Sequence, residues 1–189
     1  MFKKFALSIF ALGLATTAAH ATPITYEGTI SPGGEVVTDS LISGDNFNDP
    51  ANWDYWSFHA TAGDLISITI ERLESDLDPA FGLFSGLFAD TNDLPGSDPT
   101  DGSLAFADDE IGHAGPWGDP QLLDFLIVTS GYYTIAATSF ASGPDDGQDG
   151  LFDYRMTVRG NTDVPEPAAL GLLGLGLAGL WVNRRRKRS

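Results

Sequence analysis

The sequence predicts an all-β protein, an antiparallel jelly-roll-like β-sandwich, flanked by an N-terminal signal helix and a C-terminal transmembrane helix. Apolar side chains between residues 22 and 163 recur at every second position, which is the period of a strand rather than of a helix. Glycine- and aspartate-rich turns, such as Gly63-Asp64 and Ser130-Gly131, separate these runs. Each end of the chain carries an apolar run next to basic residues, the pattern of a membrane-directed segment.

The N-terminal segment has the features of a secretory signal peptide. Lys3 and Lys4 precede an apolar run at 5–15, and Ala19 and Ala21 place small residues at the two positions that signal peptidase reads. We therefore predict cleavage after Ala21, which removes residues 1–21. An uncleaved membrane helix is the alternative, but about eleven apolar residues are too few to span a bilayer comfortably.

Residues 22–163 form the predicted β-sandwich domain. Its first strands are predicted at 26–30 and Asp54–Ala60, where Trp56 and Phe58 share one face. Further rows of alternate, inward-facing side chains are Ile66, Ile68 and Ile70; Leu123, Phe125 and Ile127; Tyr133, Ile135 and Ala137; and Tyr154, Met156 and Val158. Short strands with one apolar face favour an antiparallel sandwich, most simply of jelly-roll type.

The charge of this domain limits its partners. Between residues 22 and 163 there are 25 acidic side chains and three basic ones, Arg72, Arg155 and Arg159. Such a surface repels nucleic acid and anionic lipid, and it favours cations, basic surfaces or neutral polymers. The chain has no cysteine, which excludes disulfides, cysteine catalysis and thiolate metal sites.

The C-terminal segment, residues 164–189, combines an extended entry, an apolar run and a basic end. Val164, Pro165, Glu166 and Pro167 stand before the apolar run 168–182, and the prolines keep the entry non-helical. The basic end consists of Arg184, Arg185, Arg186, Lys187 and Arg188. Backbone in lipid must satisfy its own hydrogen bonds, so the run is predicted to be a transmembrane helix of about 22 Å. The positive-inside rule places the basic end in the cytoplasm and the sandwich outside.

This order of features resembles the PEP-CTERM sorting signal of Gram-negative bacteria. The resemblance implies that the segment from Val164 to Pro167 is recognised by an exosortase, a membrane-embedded enzyme similar to cysteine transpeptidases. The inner membrane would then be a transient anchor, and the expected destination is the cell surface or the extracellular matrix.

A second resemblance covers most of the predicted sandwich. It rests on the order of short segments: Gly44-Asp45, Asp54-Tyr55-Trp56-Ser57-Phe58, Ala62-Gly63-Asp64, Leu77-Asp78-Pro79, Ala107-Asp108-Asp109, Gly131-Tyr132-Tyr133-Thr134-Ile135 and Tyr154-Arg155-Met156-Thr157-Val158. This order is similar to that of the bacterial pre-peptidase C-terminal (PPC) domain. The resemblance implies a β-sandwich accessory module, which in several members binds extracellular polymer. In collagen-binding members it also binds calcium, through aspartates that correspond to Asp45 and Asp54 here.

The residues themselves also suggest a calcium site. Ca²⁺ prefers six to eight oxygen ligands, and the loop at 45–54 offers the side chains of Asp45, Asp49 and Asp54. Two other acidic stretches compete for the role, at 108–110 and 145–150. The second of these resembles the start of an EF-hand loop, but Met156 occupies the position that requires glutamate.

Two tryptophans in polar loops, Trp53 and Trp117, are candidate ligand-binding residues. Aromatic rings on loops are surfaces on which polysaccharide stacks, although both rings would equally serve to cap the end of the core.

Support for catalysis is weak in this sequence. His59 and His113 each lack a second histidine at metal-ligand spacing. Asp76 and Asp78 offer a carboxylate pair for a glycosidase, but no aromatic subsite pattern accompanies them. The expected function is therefore a non-enzymatic surface or matrix protein that binds polysaccharide or another matrix component. The alternative is a secreted hydrolase, or an accessory module of one, with an unrecognised site.

Overall fold

The computed structural model describes residues 21–42, 47–74, 77–112, 117–140 and 150–160. These residues form an all-β sandwich, and their one helical element is the short 3-10 helix Pro50–Asn52. Within these ranges no helix has both the length and the apolarity needed to cross a membrane. The predicted signal and transmembrane helices lie outside the described residues, except for Ala21.

The described residues contain eleven strands. In chain order they are β1 (Tyr26–Thr29), β2 (Gly33–Ile42), β3 (Asp54–Ala60), β4 (Leu65–Arg72), β5 (Pro79–Ser85), β6 (Ala105–Ala107), β7 (Ile111–Gly112), β8 (Gly118–Asp119), β9 (Gln121–Leu126), β10 (Gly131–Ser139) and β11 (Leu151–Gly160).

Two sheets carry most of these strands. One has the order β1-β3-β10-β5-β6, the other has the order β2-β11-β4-β9, and β7 pairs with β8 in a small separate ribbon. Every pair is antiparallel except β1 with β3, which departs from the purely antiparallel prediction. The chain passes through β2 in the other sheet between β1 and β3, and this provides the crossover connection that a parallel pair requires. The sandwich is confirmed, whereas the jelly-roll connectivity stays a prediction.

The main core lies between the two sheets and contains the side chains predicted for β3, β4, β10 and β11. Trp56 and Phe58 both belong to it, as predicted. The other predicted rows that are buried there are Ile66, Ile68, Ile70, Tyr133, Ile135, Ala137, Tyr154, Met156 and Val158. The period-2 alternation of these residues with polar ones therefore predicted correctly which face of each strand is buried.

Strand β9 differs from the prediction. Phe125 and Ile127 contact the core as predicted, but Leu123, which was also expected to point inward, is 62 % exposed, and Leu122 packs against the core in its place. The pairing with β4 shifts between Ile66 and Ile68, and Asp124 has a φ of 50°. An extra residue at this β-bulge reverses the side-chain alternation, which a simple period-2 count cannot detect.

Strand β5 is buried on both faces. Phe81 and Leu83 face the main core, while Phe84 joins a second cluster with Trp53 and Leu94. Because both faces are covered, the strand is apolar at nearly every position, and no alternation marks it in the sequence.

Candidate functional site

Most of the predicted targeting residues lie outside the described ranges. These are Ala19, the motif Val164, Pro165, Glu166 and Pro167, and the basic residues Arg184, Arg185, Arg186, Lys187 and Arg188. Ala21 is the first described residue.

The predicted calcium loop is only partly described, because Asp45 lies outside. Asp49 caps the 3-10 helix: its Oδ1 accepts from the Ala51 amide at 3.3 Å, and its Oδ2 accepts from Asn52 Nδ2 at 2.8 Å. Asp54 Oδ2 accepts from the Tyr154 hydroxyl at 3.1 Å. Within the part of the chain that is described, neither aspartate belongs to a group of three side chains close enough to share an ion. A calcium site at Asp45, Asp49 and Asp54 thus stays a prediction.

The environment of Asp54 changes its protonation. Burial and, to a smaller extent, the charges of Asp39 and Glu27 together raise the pKa of Asp54 to about 7, while the hydrogen bond from Tyr154 acts to lower it. The carboxyl group is therefore suited to a buried hydrogen-bond network.

The two predicted ligand-binding tryptophans differ in exposure. The side chain of Trp53 is only 5 % exposed because it packs with Tyr55 and Leu94 on the outer face of the first sheet, which agrees with the core-capping alternative rather than with an exposed binding ring. Little of its ring is left for stacking on a sugar. Trp117 is half-buried and stays accessible.

A polar groove borders Trp53. It has a volume of about 240 Å³, is open to solvent, and is lined in part by Thr22, Ala51, Asn52 and Thr91. The hydroxyl and amide side chains of its lining can form hydrogen bonds with a polar ligand.

His59 is the one histidine within the described ranges, since His113 lies in a gap. Its exposed ring contacts the ring of Tyr132 edge-on, with 5.2 Å between the ring centres. His59 therefore lies on the surface of the first sheet, beside an aromatic ring.

A different set of side chains, which we call the carboxylate cluster, consists of Asp78, Asp108 and Asp109. Asp78 immediately precedes β5, and Asp108 and Asp109 immediately follow β6. These strands pair antiparallel, with Phe81 opposite Ala107, so the start of one lies beside the end of the other. The register thus brings together side chains that are about thirty positions apart in the chain.

The carboxylate cluster is compact and partly enclosed. One carboxylate oxygen from each residue lies within 4.8 Å of the other two. Asp78 is 6 % exposed, Asp108 is half-buried and Asp109 is exposed. The Oδ1 atoms of Asp78 and Asp108 are buried, and neither has a hydrogen-bond partner among the described residues. The cluster therefore has a closed inner side and an open outer side.

Neighbouring groups hold the loop after β6 in place. Glu110 Oε2 accepts from the amides of Asp108 at 2.9 Å and Gln121 at 3.0 Å. Asp109 Oδ1 accepts from the Gly118 amide at 2.6 Å. A Cβ at Gly118 would lie 2.8 Å from the Asp109 backbone, so this close approach requires glycine.

The nearest buried cation, Arg72, is engaged with other groups. Its guanidinium lies 3.4 Å from Asp119 Oδ1 and donates to the carbonyl oxygens of Leu77 at 3.1 Å and Trp117 at 2.5 Å. It binds the segments on either side of the carboxylate cluster and leaves the charge of the cluster only partly balanced.

The pKa values of Asp78 and Asp108 are raised in the carboxylate cluster. Burial and, to a smaller extent, the charges of Asp108 and Asp109 together raise the pKa of Asp78 to about 7, even though the charge of Arg72 acts to lower it. Burial also raises the pKa of Asp108 to about 6, together with the charges of Asp109 and Glu110. Three ionised carboxylates in this space repel one another unless a cation lies between them.

The carboxylate cluster joins two stretches that sequence reasoning treated separately. As possible functional groups, residues 108–110 were considered as a competing acidic stretch, and Asp78 was considered as a partner of Asp76, which lies outside the described ranges. The pairing of β5 with β6 is what brings these residues together, and it could not be inferred from the sequence because β5 was not predicted.

The C-terminal segment has a match among known protein families. Residues 163–187 match the PEP-CTERM protein-sorting motif, which confirms the resemblance seen in the sequence. The motif marks the chain for export and for transient membrane anchoring through its C-terminal tail. No curated protein matches the chain significantly.

Several solved structures resemble the sandwich at a distance. The pre-peptidase C-terminal domain of a collagenase from Bacillus anthracis is 15 % identical, covers 73 % of this chain and 100 % of its own, and has a TM-score of 0.44. CorA, a surface-associated copper-binding protein of Methylomicrobium album BG8, is 10 % identical, with 69 % and 98 % covered and a TM-score of 0.46. PliG of Aeromonas hydrophila, a periplasmic inhibitor of g-type lysozyme, is 15 % identical, with 70 % and 96 % covered and a TM-score of 0.40. Likenesses at this level say nothing about the ligand of this chain.

Proposed function

We propose that this chain is a non-enzymatic protein of the bacterial cell surface or extracellular matrix, which signal peptidase and an exosortase process in turn. The observation that carries the proposal is the sorting motif at residues 163–187. Its Pro-Glu-Pro segment would be cut while the apolar run holds the chain in the inner membrane. The sandwich would then be released or attached outside the cell.

We further propose that the sandwich binds exopolysaccharide in the groove next to Trp53. The strong excess of acidic over basic side chains favours a neutral polymer over a polyanion. The threonine and asparagine side chains of the groove offer hydrogen bonds to hydroxyl groups, and its openness suits an extended chain.

Sorting is tested by following the full-length chain in a host that has an exosortase. Replacing Pro165, Glu166 and Pro167 together with alanine removes the proposed recognition segment and leaves the apolar run intact. We expect the wild-type protein to lose its tail and leave the inner membrane, and the variant to remain there at full length. Immunoblots of membrane and external fractions measure both.

Deletion of the exosortase gene is the matched control, because it should trap the wild-type chain in the same way. Equal tail removal with and without the enzyme, or in the alanine variant, would contradict the sorting proposal.

Polymer binding is tested by affinity electrophoresis of the released protein through gels that contain exopolysaccharide of the producing strain. Ala51→Trp places a large ring in the groove, and we expect it to abolish the retardation seen for the wild type. Trp117→Ala is the comparison, since Trp117 does not line this groove. If only Trp117→Ala loses the retardation, the polymer binds at Trp117 and not in this groove. If the wild type is not retarded, the proposal of polysaccharide binding is wrong.

A further inference from the structure

The ends of β5 and β6 form a site whose chemistry is not required for sorting or polymer binding. We propose that the carboxylate cluster of Asp78, Asp108 and Asp109 binds a hard divalent cation, Ca²⁺. This place is distinct from the loop at 45–54 that the sequence suggested, although both lie at the same end of the first sheet, where Ala137 of β10 stands between Asp54 of β3 and Phe81 of β5.

The spacing of the oxygens fits one ion. Ca²⁺ binds oxygen at about 2.4 Å, so two oxygens on opposite sides of the same ion are at most about 4.8 Å apart. The carboxylate oxygens of the cluster meet this limit in all three pairs.

The burial of Asp78 points independently to a ligand. Asp78 is 6 % exposed, and its buried Oδ1 accepts no hydrogen bond from any described residue. Buried carboxylate oxygens are nearly always paired, because an uncompensated one loses its hydration without replacement. A cation coordinated by the carboxylates of Asp78 and Asp108 would compensate for the hydration that burial removes from them.

The ligand set selects the class of metal. The cluster consists of carboxylates alone, which suit Ca²⁺, Mg²⁺ or Mn²⁺ rather than copper or zinc. Ca²⁺ tolerates irregular geometry and a high ligand number, and the open side at Asp109 leaves room for water ligands. The loop is also held in place before any ion arrives, through Glu110 and the Gly118 amide.

Thermal unfolding of the full chain tests this proposal. The protein is first freed of metal with a chelator and is kept in mild detergent. Extracellular calcium modules bind with dissociation constants of about 10⁻⁴ to 10⁻³ M, so about 10 mM CaCl₂ should raise Tm by about 3–8 °C. NaCl at equal ionic strength controls for screening of the acidic surface, and MgCl₂ tests selectivity.

Variants locate the response. Asp78→Asn and Asp108→Asn should each raise the dissociation constant at least about tenfold, measured by competition of Ca²⁺ with Tb³⁺ luminescence. Both variants relieve charge repulsion, so they should fold without metal, which circular dichroism verifies. Asp54→Asn is the matched control, a partly buried aspartate at the other proposed site, and it should keep the full calcium response.

Three outcomes would overturn the proposal: no calcium-specific rise of Tm in the wild type, a rise that persists in both cluster variants, or a rise lost in Asp54→Asn alone. The carboxylate cluster and the sorting tail lie in different parts of the chain. Loss of the calcium response would therefore leave the sorting proposal untouched.

Discussion

Asp54, Tyr154 and Trp56 form a hydrogen-bonded chain that links the two sheets. Trp56 Nε1 donates to the Tyr154 hydroxyl at 2.8 Å, and that hydroxyl donates to Asp54 Oδ2 at 3.1 Å. Tyr154 is fully buried, so its hydroxyl needs these partners. An aspartate at the start of β3 thus completes the hydrogen bonding of a core tyrosine.

Asp54 should make stability depend on pH. Its pKa is about 7 in the folded protein and 3.8 as a free group, so between these values the folded state binds more protons than the unfolded state. Stability is therefore highest at the acidic end of this window and falls as pH rises to about 8. Asp78 and Asp108 act in the same direction when no metal is present.

Asp54→Asn should stabilise the chelator-treated protein at about pH 8 by about 1 kcal/mol, or about 3 °C in Tm, and flatten its pH dependence. The asparagine oxygen still accepts from Tyr154, while the buried charge is gone. Thermal melts at several pH values measure this. Asp101→Asn, at an exposed position, controls for the loss of one negative charge, and an unchanged pH slope in Asp54→Asn would contradict the prediction.

At the scale of the element, the β-bulge in β9 decides which leucine is structural. Leu122→Ser should lower the free energy of unfolding by about 1–3 kcal/mol, because Leu122 packs against the main core. Leu123→Ser should change it by less than about 0.5 kcal/mol, because this side chain is mostly exposed. Urea unfolding of the two variants separates them, and the opposite ranking would restore the simple alternation predicted from the sequence.

Strand β5 depends on close packing at Gly82. A Cβ there would lie 2.4 Å from the Pro99 carbonyl oxygen and 2.8 Å from the Phe84 ring. Gly82→Ala should therefore destabilise the protein by about 1–3 kcal/mol. Gly112→Ala is the matched control, since its Cβ would have no neighbour within 4 Å. Equal urea midpoints for the two variants would contradict the prediction, because they would show that the backbone at Pro99 can move to accommodate the added methyl group.

For the whole molecule, the excess of negative charge opposes compaction. The domain at 22–163 carries 25 acidic and three basic side chains, and like charges repel more strongly in the folded state than in the unfolded one. Screening by salt should relieve this repulsion, because the Debye length shrinks to about 3 Å at 1 M.

Raising NaCl from low to moderate concentration should therefore increase Tm at neutral pH, and a rise of about 3 °C corresponds to about 1 kcal/mol. At a pH near 4.5 many carboxylates are protonated, so the same salt addition should do less. Scanning calorimetry measures both, and a Tm that salt lowers at neutral pH would contradict the prediction.

The sequence by itself determined the strands with one buried face and the sorting tail. Period-2 rows such as Ile66 to Ile70 and Tyr154 to Val158 are buried as predicted, because alternation reflects only the local geometry of a strand. The tail motif was readable because its information lies in a continuous stretch.

Only the tertiary structure decided the parallel pairing of β1, the bulge in β9, the burial of Trp53 and the meeting of Asp78 with Asp108 and Asp109. Each depends on which strand lies beside which, and in what register. Those contacts join residues far apart in the chain, and the local pattern of a sequence does not encode them.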